Sequence, residues 1–365
     1  MKNADIMRLI CIWFMVTAHI GSNVRDAIVS DQGVFLVLFD GLSRLSSPGL
    51  GLISGYLAYL SLTRRSYVDL LIRRARSLLW PFLLWSMLYV SLLLAVSFLQ
   101  GEDLDFGLLR SNVLWGLTSW PGNYPLHYLL DLFKCTALMG GAFVLLTSLG
   151  ASQRTVTGSL LILSLIVFAS LTLHDLNAGH PGRNQDSFLP RSDLQLFFSL
   201  GFVCADKSFR MFGALSTRPM LLVILAIPFV LTSLVWYDLL QNDILSLDYA
   251  LGVILHFACR FTGAFLLFAL VWRLPTPSAN VGLFLRNLAF NVFVSHFIVL
   301  SALNSLFDLA PLMAYSPLVY VLALQLAFVL VGLSITLSHH VAGRIDLVRR
   351  PTSWRSLPEH QANHR

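Results

Sequence analysis

Ten apolar stretches, each of bilayer-crossing length, follow one another along the chain, and the charges collect in the loops between them. Their approximate limits are 6–24, 34–62, 77–99, 125–148, 156–173, 190–205, 219–238, 247–271, 282–306 and 312–338. A hydrocarbon core about 30 Å thick needs roughly 20 apolar residues in a helix. This pattern predicts an all-α fold: a polytopic integral membrane protein with about ten transmembrane helices. A further apolar stretch, 106–119, is short and reads as interfacial. No repeat, low-complexity segment or soluble domain interrupts the pattern. Residues 1–340 therefore read as a single transmembrane domain, and 341–365 as a basic tail.

Composition supports that class. Of 365 residues, 56% are hydrophobic and 12% charged, with mean hydropathy +0.72. Soluble domains carry about 25% charged residues. The net charge of +6 implies no nucleic-acid partner, because the arginines lie between apolar stretches. Cys11, Cys135, Cys204 and Cys259 lack metal-ligand spacing and read as packing thiols, so no metal is expected. The first span has a thin basic flank and no small-residue cleavage site, unlike a signal peptide.

Loop charges orient the spans. Arg64, Arg65, Arg73, Arg74 and Arg76 follow the second span, Arg154 the fourth, and Lys207, Arg210 and Arg218 the sixth. Arg273 follows the eighth, and Arg344, Arg349, Arg350 and Arg355 the tenth. The opposite loops carry Glu102, Asp103, Asp105, Asp238, Asp243 and Asp248. Positive charge stays on the cytoplasmic side, which puts both termini in the cytoplasm.

Ionisable residues inside spans are expensive in lipid and mark function by default. Asp5 and Arg8 open the first span, and His19 lies eleven residues beyond Arg8. That separation is about 16 Å along a helix, half the hydrocarbon core. Asp40 and Arg44 share a face of the second span, and His127, Asp131 and Lys134 share one in the fourth. His256 and Arg260 lie four apart in the eighth, and His296 sits in the ninth at a depth similar to His19. The functional reading is one polar chamber opening outward. The alternative is a set of helix-to-helix staples, which suits Asp40–Arg44 and Asp131–Lys134 equally well.

Two further features stand nearer the cytoplasm. Arg73, Arg74 and Arg76 have the fork geometry to hold phosphate, or they serve topology and anionic lipid. Pro48, Ser54 and Gly55 lie in a small-residue stretch that either opens a slot or lets helices approach closely. No nucleophile elbow, P-loop, zinc-protease or CxxC pattern appears.

The spacing Asp5–Arg8–His19 resembles the first-span signature of the acyltransferase family 3 membrane proteins. Arg44, Pro48 and Ser54-Gly55-Tyr56-Leu57 resemble that family's second-span motif, and Arg73, Arg76 and Pro81 its basic loop. Pro125-Leu126-His127-Tyr128-Leu129 is similar to its PLWFL segment, with His127 where Trp is usual. Asn291 to His296 is similar to a late span that usually reads Ser, Ile, Tyr, His, here without the Tyr. The likeness runs in order over almost the whole chain, and within the family it is nearest to exopolysaccharide and nodulation-factor modifiers, including the succinoglycan succinyl-transfer type.

The resemblance implies an acyl-CoA-dependent O-acyltransferase in the bacterial inner membrane, with no permanently bound cofactor. Its partners would be acyl-CoA, a surface polysaccharide or lipid-linked oligosaccharide, and membrane lipid. Arg73, Arg74 and Arg76 would hold the CoA phosphates, with Ser54 and Gly55 beside the pantetheine arm. His19 would act as general base or take the acyl group itself. Asp5 and Arg8 would organise the inner mouth, and His296 is a second acid/base candidate. Arg44, His127 and Arg260 are assigned to substrate, where an arginine suits an oxyanion or a succinyl carboxylate. The outer segment 174–188 is polar enough to contact sugar. The rival classes are a lipid-linked sugar transporter or flippase, which often shows paired halves, a polysaccharide polymerase or ligase, and a structural membrane subunit.

Overall fold

A computed structural model of the protein describes residues 3–30, 41–99, 126–178, 190–206, 218–241, 249–306 and 317–349. Among them there is no strand, and helix occupies every one of the ten expected stretches. The helices are α1 (Ala4–Ser30), α2 (Ser46–Leu62), α3 (Tyr67–Arg74), α4 (Trp80–Leu99), α5 (His127–Ser148) and α6 (Gln153–Ala178). They continue as α7 (Ser192–Ala205), α8 (Pro219–Gln241), α9 (Tyr249–Arg273), α10 (Ala279–Leu306) and α11 (Pro317–Arg349). Helix α11 runs on past the expected boundary at 340. Asp40, the acidic loop residues Glu102, Asp103, Asp105, Asp243 and Asp248, and the stretch 106–119 lie outside the described residues. So do Lys207, Arg210, residues 179–188 of the polar segment and residues 350–365 of the tail.

Five of these helical segments are long and apolar enough to cross a membrane: Tyr67–Leu92, His127–Ser148, Gln153–Leu173, Ile254–Arg273 and Val319–Ser338. Two apolar helical segments, Ser192–Ala205 and Pro219–Val235, are shorter. Large side chains such as Met87, Phe98, Ile162, Val223, Leu231, Leu326 and Leu330 point outward. Apolar surface on that scale needs a lipid solvent, and an all-α membrane protein results.

The second and third expected spans differ from unbroken helices for local reasons. A turn at Arg44–Leu45 interrupts the second, and α2 begins beyond it. Pro48 falls in the first turn of α2, where its missing N–H leaves no bond unmade. Between α3 and α4 the chain makes a π-helical turn, Ala75–Leu79, closed by a bond from Trp80 N–H to the Ala75 carbonyl. Pro81 follows, and its ring cannot sit over the Ser77 carbonyl of a regular helix, so the wider turn relieves the clash.

Helices α2 and α7 form the tightest contact. A Cβ on Gly55 would fall 1.9 Å from the Phe198 carbonyl oxygen, and one on Gly201 would fall 2.2 Å from that of Leu52. Backbones meet there because both positions lack a side chain. Tyr59 and Phe202 stack edge to face across the same seam.

Helices α1 and α10 run parallel and in register. A Cβ on Gly282 would come 3.3 Å from Asp5 Oδ2, and further along the His19 and His296 rings lie 5.3 Å apart, centroid to centroid. Fourteen residues separate the two contacts on both helices, a rise of about 21 Å. Helix α11 packs antiparallel to α10, through Asn291 Nδ2 donating to Thr336 Oγ1 at 2.9 Å and Phe328 edge-on to His296.

Candidate active site

The register of α1 and α10 produces two polar levels. At the N-terminal end of α1, Arg8 Nη1 donates to Asp5 Oδ1 at 2.6 Å, one helical turn apart. Arg286, one turn beyond Gly282, lies within electrostatic reach of Arg8, as does Arg74 at the end of α3. Asn3 closes this end by donating to the carbonyls of Val271 and Leu274 at 2.8 and 2.6 Å.

The second level holds the histidines. His296 is fully buried, and its Nδ1 donates to the Phe293 carbonyl one turn back at 2.5 Å. That bond places the proton on Nδ1 of the neutral ring and leaves a lone pair on Nε2. Nε2 is buried with no hydrogen-bond partner among the described residues. The His19 ring faces it, tilted by 31°. Two residues before His19, buried Thr17 accepts from Gln325 of α11 and itself donates to the Trp13 carbonyl at 2.9 Å.

A second set of ionisable residues gathers on α5, α7 and α9 and at the turn before α2. Arg44 Nη1 donates to His256 Nδ1 at 2.9 Å, which assigns the proton of that ring to Nε2. Arg260 donates to Asp193 Oδ2 at 2.7 Å, and Arg191 donates to the same oxygen at 3.0 Å. Arg191 also reaches His127 Nε2 at 3.5 Å. Lys134 pairs with Asp131 at 3.8 Å. Tyr128 links the network to the histidine level, with its ring 6.5 Å from that of Phe293.

A family model described as an acyltransferase domain matches residues 1–337. The chain belongs to acyltransferase family 3. It is similar to the succinoglycan biosynthesis protein ExoH of Rhizobium meliloti (strain 1021), at 30% identity over 150 residues. That alignment takes in 37% of this chain and 40% of that protein, so the chain spans well under half of the curated relative it matches. No solved structure matches the chain.

The membrane acyltransferase thus brings together some residues of the sequence motifs and separates others. Asp5 and Arg8 form one pair, and His19 and His296 another. Arg44 pairs with His256, while Arg260 and His127 meet through Asp193 and Arg191, and Arg260 lies within electrostatic reach of His256. Arg74 is half-buried and within electrostatic reach of Arg8, while Arg73 and Arg76 are exposed. Ser54 is buried, and the space over Gly55 is filled by the backbone of α7, which fits the close-packing reading of that glycine.

Four polar residues of these levels were not singled out from sequence. Arg191 and Asp193 stand at the start of the sixth apolar stretch, and Arg286 at the start of the ninth. Gln325 carried a usable signal, a single amide at the centre of the tenth apolar stretch, where a polar side chain seeks a partner. Among the described residues no group of His, Cys, Asp and Glu is placed to hold a metal.

The chemistry available at the histidine level is proton transfer. His296 Nε2, buried and with no hydrogen-bond partner among the described residues, keeps its lone pair for a proton or a donor that enters this level.

Proposed function

We propose that this membrane acyltransferase moves a short acyl group, acetyl or succinyl, from acyl-CoA to a hydroxyl of a bacterial surface polysaccharide or its lipid-linked precursor. The acceptor follows from the name of the partial relative, a succinoglycan biosynthesis protein. The donor follows from the family resemblance. In this reading the chain crosses the inner membrane about ten times with both termini in the cytoplasm, an orientation the loop charges support.

The observation that carries the reading is the His19–His296 pair, held face to face by two helices in register. His19 takes the proton of the acceptor hydroxyl as its oxygen attacks the thioester carbonyl. The C–S bond then breaks, and the thiol leaves with one proton. His296, fixed through Phe293, turns Nε2 toward the same space and orients or relays that proton. Donor phosphates enter at the Asp5–Arg8 end, near Arg74, with Arg73 and Arg76 on the exposed approach. Arg44, His127 and Arg260 belong to the acceptor side, in a site of low dielectric where a guanidinium stabilises a developing oxyanion. Ser54, buried in α2, stands beside the pantetheine arm in this reading.

The test is proton NMR of surface polysaccharide from a deletion strain complemented with wild type or with His19→Ala. Acyl signals restored by wild type alone support the reading. Polysaccharide with the same acyl content in the uncomplemented strain rejects this acceptor.

A further inference from the structure

Helix α11 is bonded to both helices of the histidine pair. Gln325, 2% exposed, donates its Nε2 to Thr17 Oγ1 of α1. Three residues on, Phe328 stands edge-on to the His296 ring, with centroids 6.2 Å apart. A turn further, Gly332 lies against the backbone of α10. A Cβ there would fall 3.1 Å from the backbone nitrogen of Val292, one turn before His296. Thr336 then accepts from Asn291 at 2.9 Å. One stretch of α11 thus joins the part of α1 that carries His19 to the part of α10 that carries His296.

The direction of the Gln325–Thr17 bond has a local cause. Thr17 gives its hydroxyl proton to the Trp13 carbonyl, as threonines in helices do. Its oxygen can then only accept, and an amide nitrogen is the donor that fits. In lipid the apolar residues around this bond impose little register, because acyl chains are as apolar as leucine. A hydrogen bond is directional and does not slide. A lone buried amide sets register in helical assemblies at a cost in stability. The Asp5–Gly282 contact also aligns α1 with α10, but it lies about 21 Å from the histidines. Thr17 stands two residues from His19, about 3 Å along α1, so what fixes Thr17 fixes His19.

We propose that Gln325 is a positioning residue for acyl transfer: through Thr17 it sets the height and rotation of the α1 turn that carries His19, against a helix on which His296 is already seated. This rests on the reading above in which the two histidines are the reacting groups. A misplacement of about 1 Å costs up to about a hundredfold in rate.

The test expresses the full chain at low, matched levels in the deletion strain and reads ester content of the surface polysaccharide by proton NMR, per unit of membrane-inserted protein. The same variants are melted in phosphatidylcholine nanodiscs. Gln325→Leu removes the amide at similar volume, and Thr17→Val removes the acceptor at similar shape. Each should lower ester formation about ten- to a hundredfold. The double variant should match the singles, because both cut one bond. Thr17→Ser keeps the hydroxyl and should restore wild-type ester content. Gln325→Leu and the double variant should melt no lower than wild type, since no polar group loses its last partner. A bond that merely staples the bundle gives the opposite pattern, a lower melting temperature with normal ester content per inserted protein, and that pattern overturns the proposal. Loss of ester in His19→Ala beside full content in Gln325→Leu and Thr17→Val removes Gln325 from the mechanism and leaves the histidine reading standing. Equal ester content in wild type and His19→Ala fails that reading itself, and the positioning role with it.

Discussion

His19 of α1 and His296 of α10 face each other with ring centroids 5.3 Å apart, although 277 positions separate them in the sequence. Their meeting depends on the parallel register that also sets Asp5 beside Gly282. Because Nδ1 of His296 is committed to the Phe293 carbonyl, any role in proton transfer falls to Nε2. His296→Asn keeps a donor near the Nδ1 position and removes Nε2. It should lower acyl transfer by about a hundredfold or more, the usual scale of a lost acid–base group. The measurement is ester content of the polysaccharide per unit of membrane-inserted protein. Near-normal content would reduce His296 to a packing residue.

Gly55 tests the two readings of the small-residue stretch against each other. Its Cα lies under the Phe198 carbonyl, and an added methyl has nowhere to go. Gly55→Ala should cost about 1–3 kcal/mol of stability, as overpacking of a core does. Gly201→Ala disturbs the same seam from the other side, so the double variant should cost less than the sum of the two. Thermal melting in detergent measures this. A raised Michaelis constant for the donor at an unchanged melting temperature would instead return Gly55 to the slot reading.

Asp193 is the anchor of the network on α7. It accepts from Arg260 at 2.7 Å and from Arg191 at 3.0 Å, with Arg260 mostly buried and Arg191 partly exposed. Removing the carboxylate leaves the Arg260 charge without this partner inside the bundle. Asp193→Asn should therefore destabilise by about 3 kcal/mol. Arg191→Gln should cost under about 1 kcal/mol, because water replaces an exposed partner. Equal effects of the two variants in a melting experiment would contradict this ranking.

These residues also mark how far the sequence could be read. Helix positions, the membrane class and the pair Asp131–Lys134 follow from local patterns, because apolar length and spacing within one helix decide them. Position within the first and ninth spans put His19 and His296 at similar depth. What local patterns did not contain is which helices touch. Arg191 and Asp193 matter only because α7 packs beside α9, and Arg286 only because α10 lies in register with α1. The single outward chamber expected from depth resolves into a histidine level and an ionic network, joined through Tyr128 and Phe293. Depth alone cannot distinguish those arrangements, since helices at one level still choose their neighbours by side-chain packing.

The π-helical turn supplies the last test. Trp80 N–H bonds to the Ala75 carbonyl, five residues back, and Pro81 forbids the regular bond to Ser77. The wide turn fixes how α3 is rotated with respect to α4, and so where Arg74 points. Pro81→Ala restores the missing N–H and allows a regular helix. A one-residue change of register rotates α3 by about 100°, which carries Arg74 away from Arg8. The variant should insert into the membrane and melt close to wild type, because α4 gains a hydrogen bond. Its Michaelis constant for acyl-CoA should rise several-fold while turnover at saturation holds, since the histidine level lies on other helices. Turnover that falls with the constant unchanged would place the effect of the turn at the reacting groups and separate Arg74 from the donor.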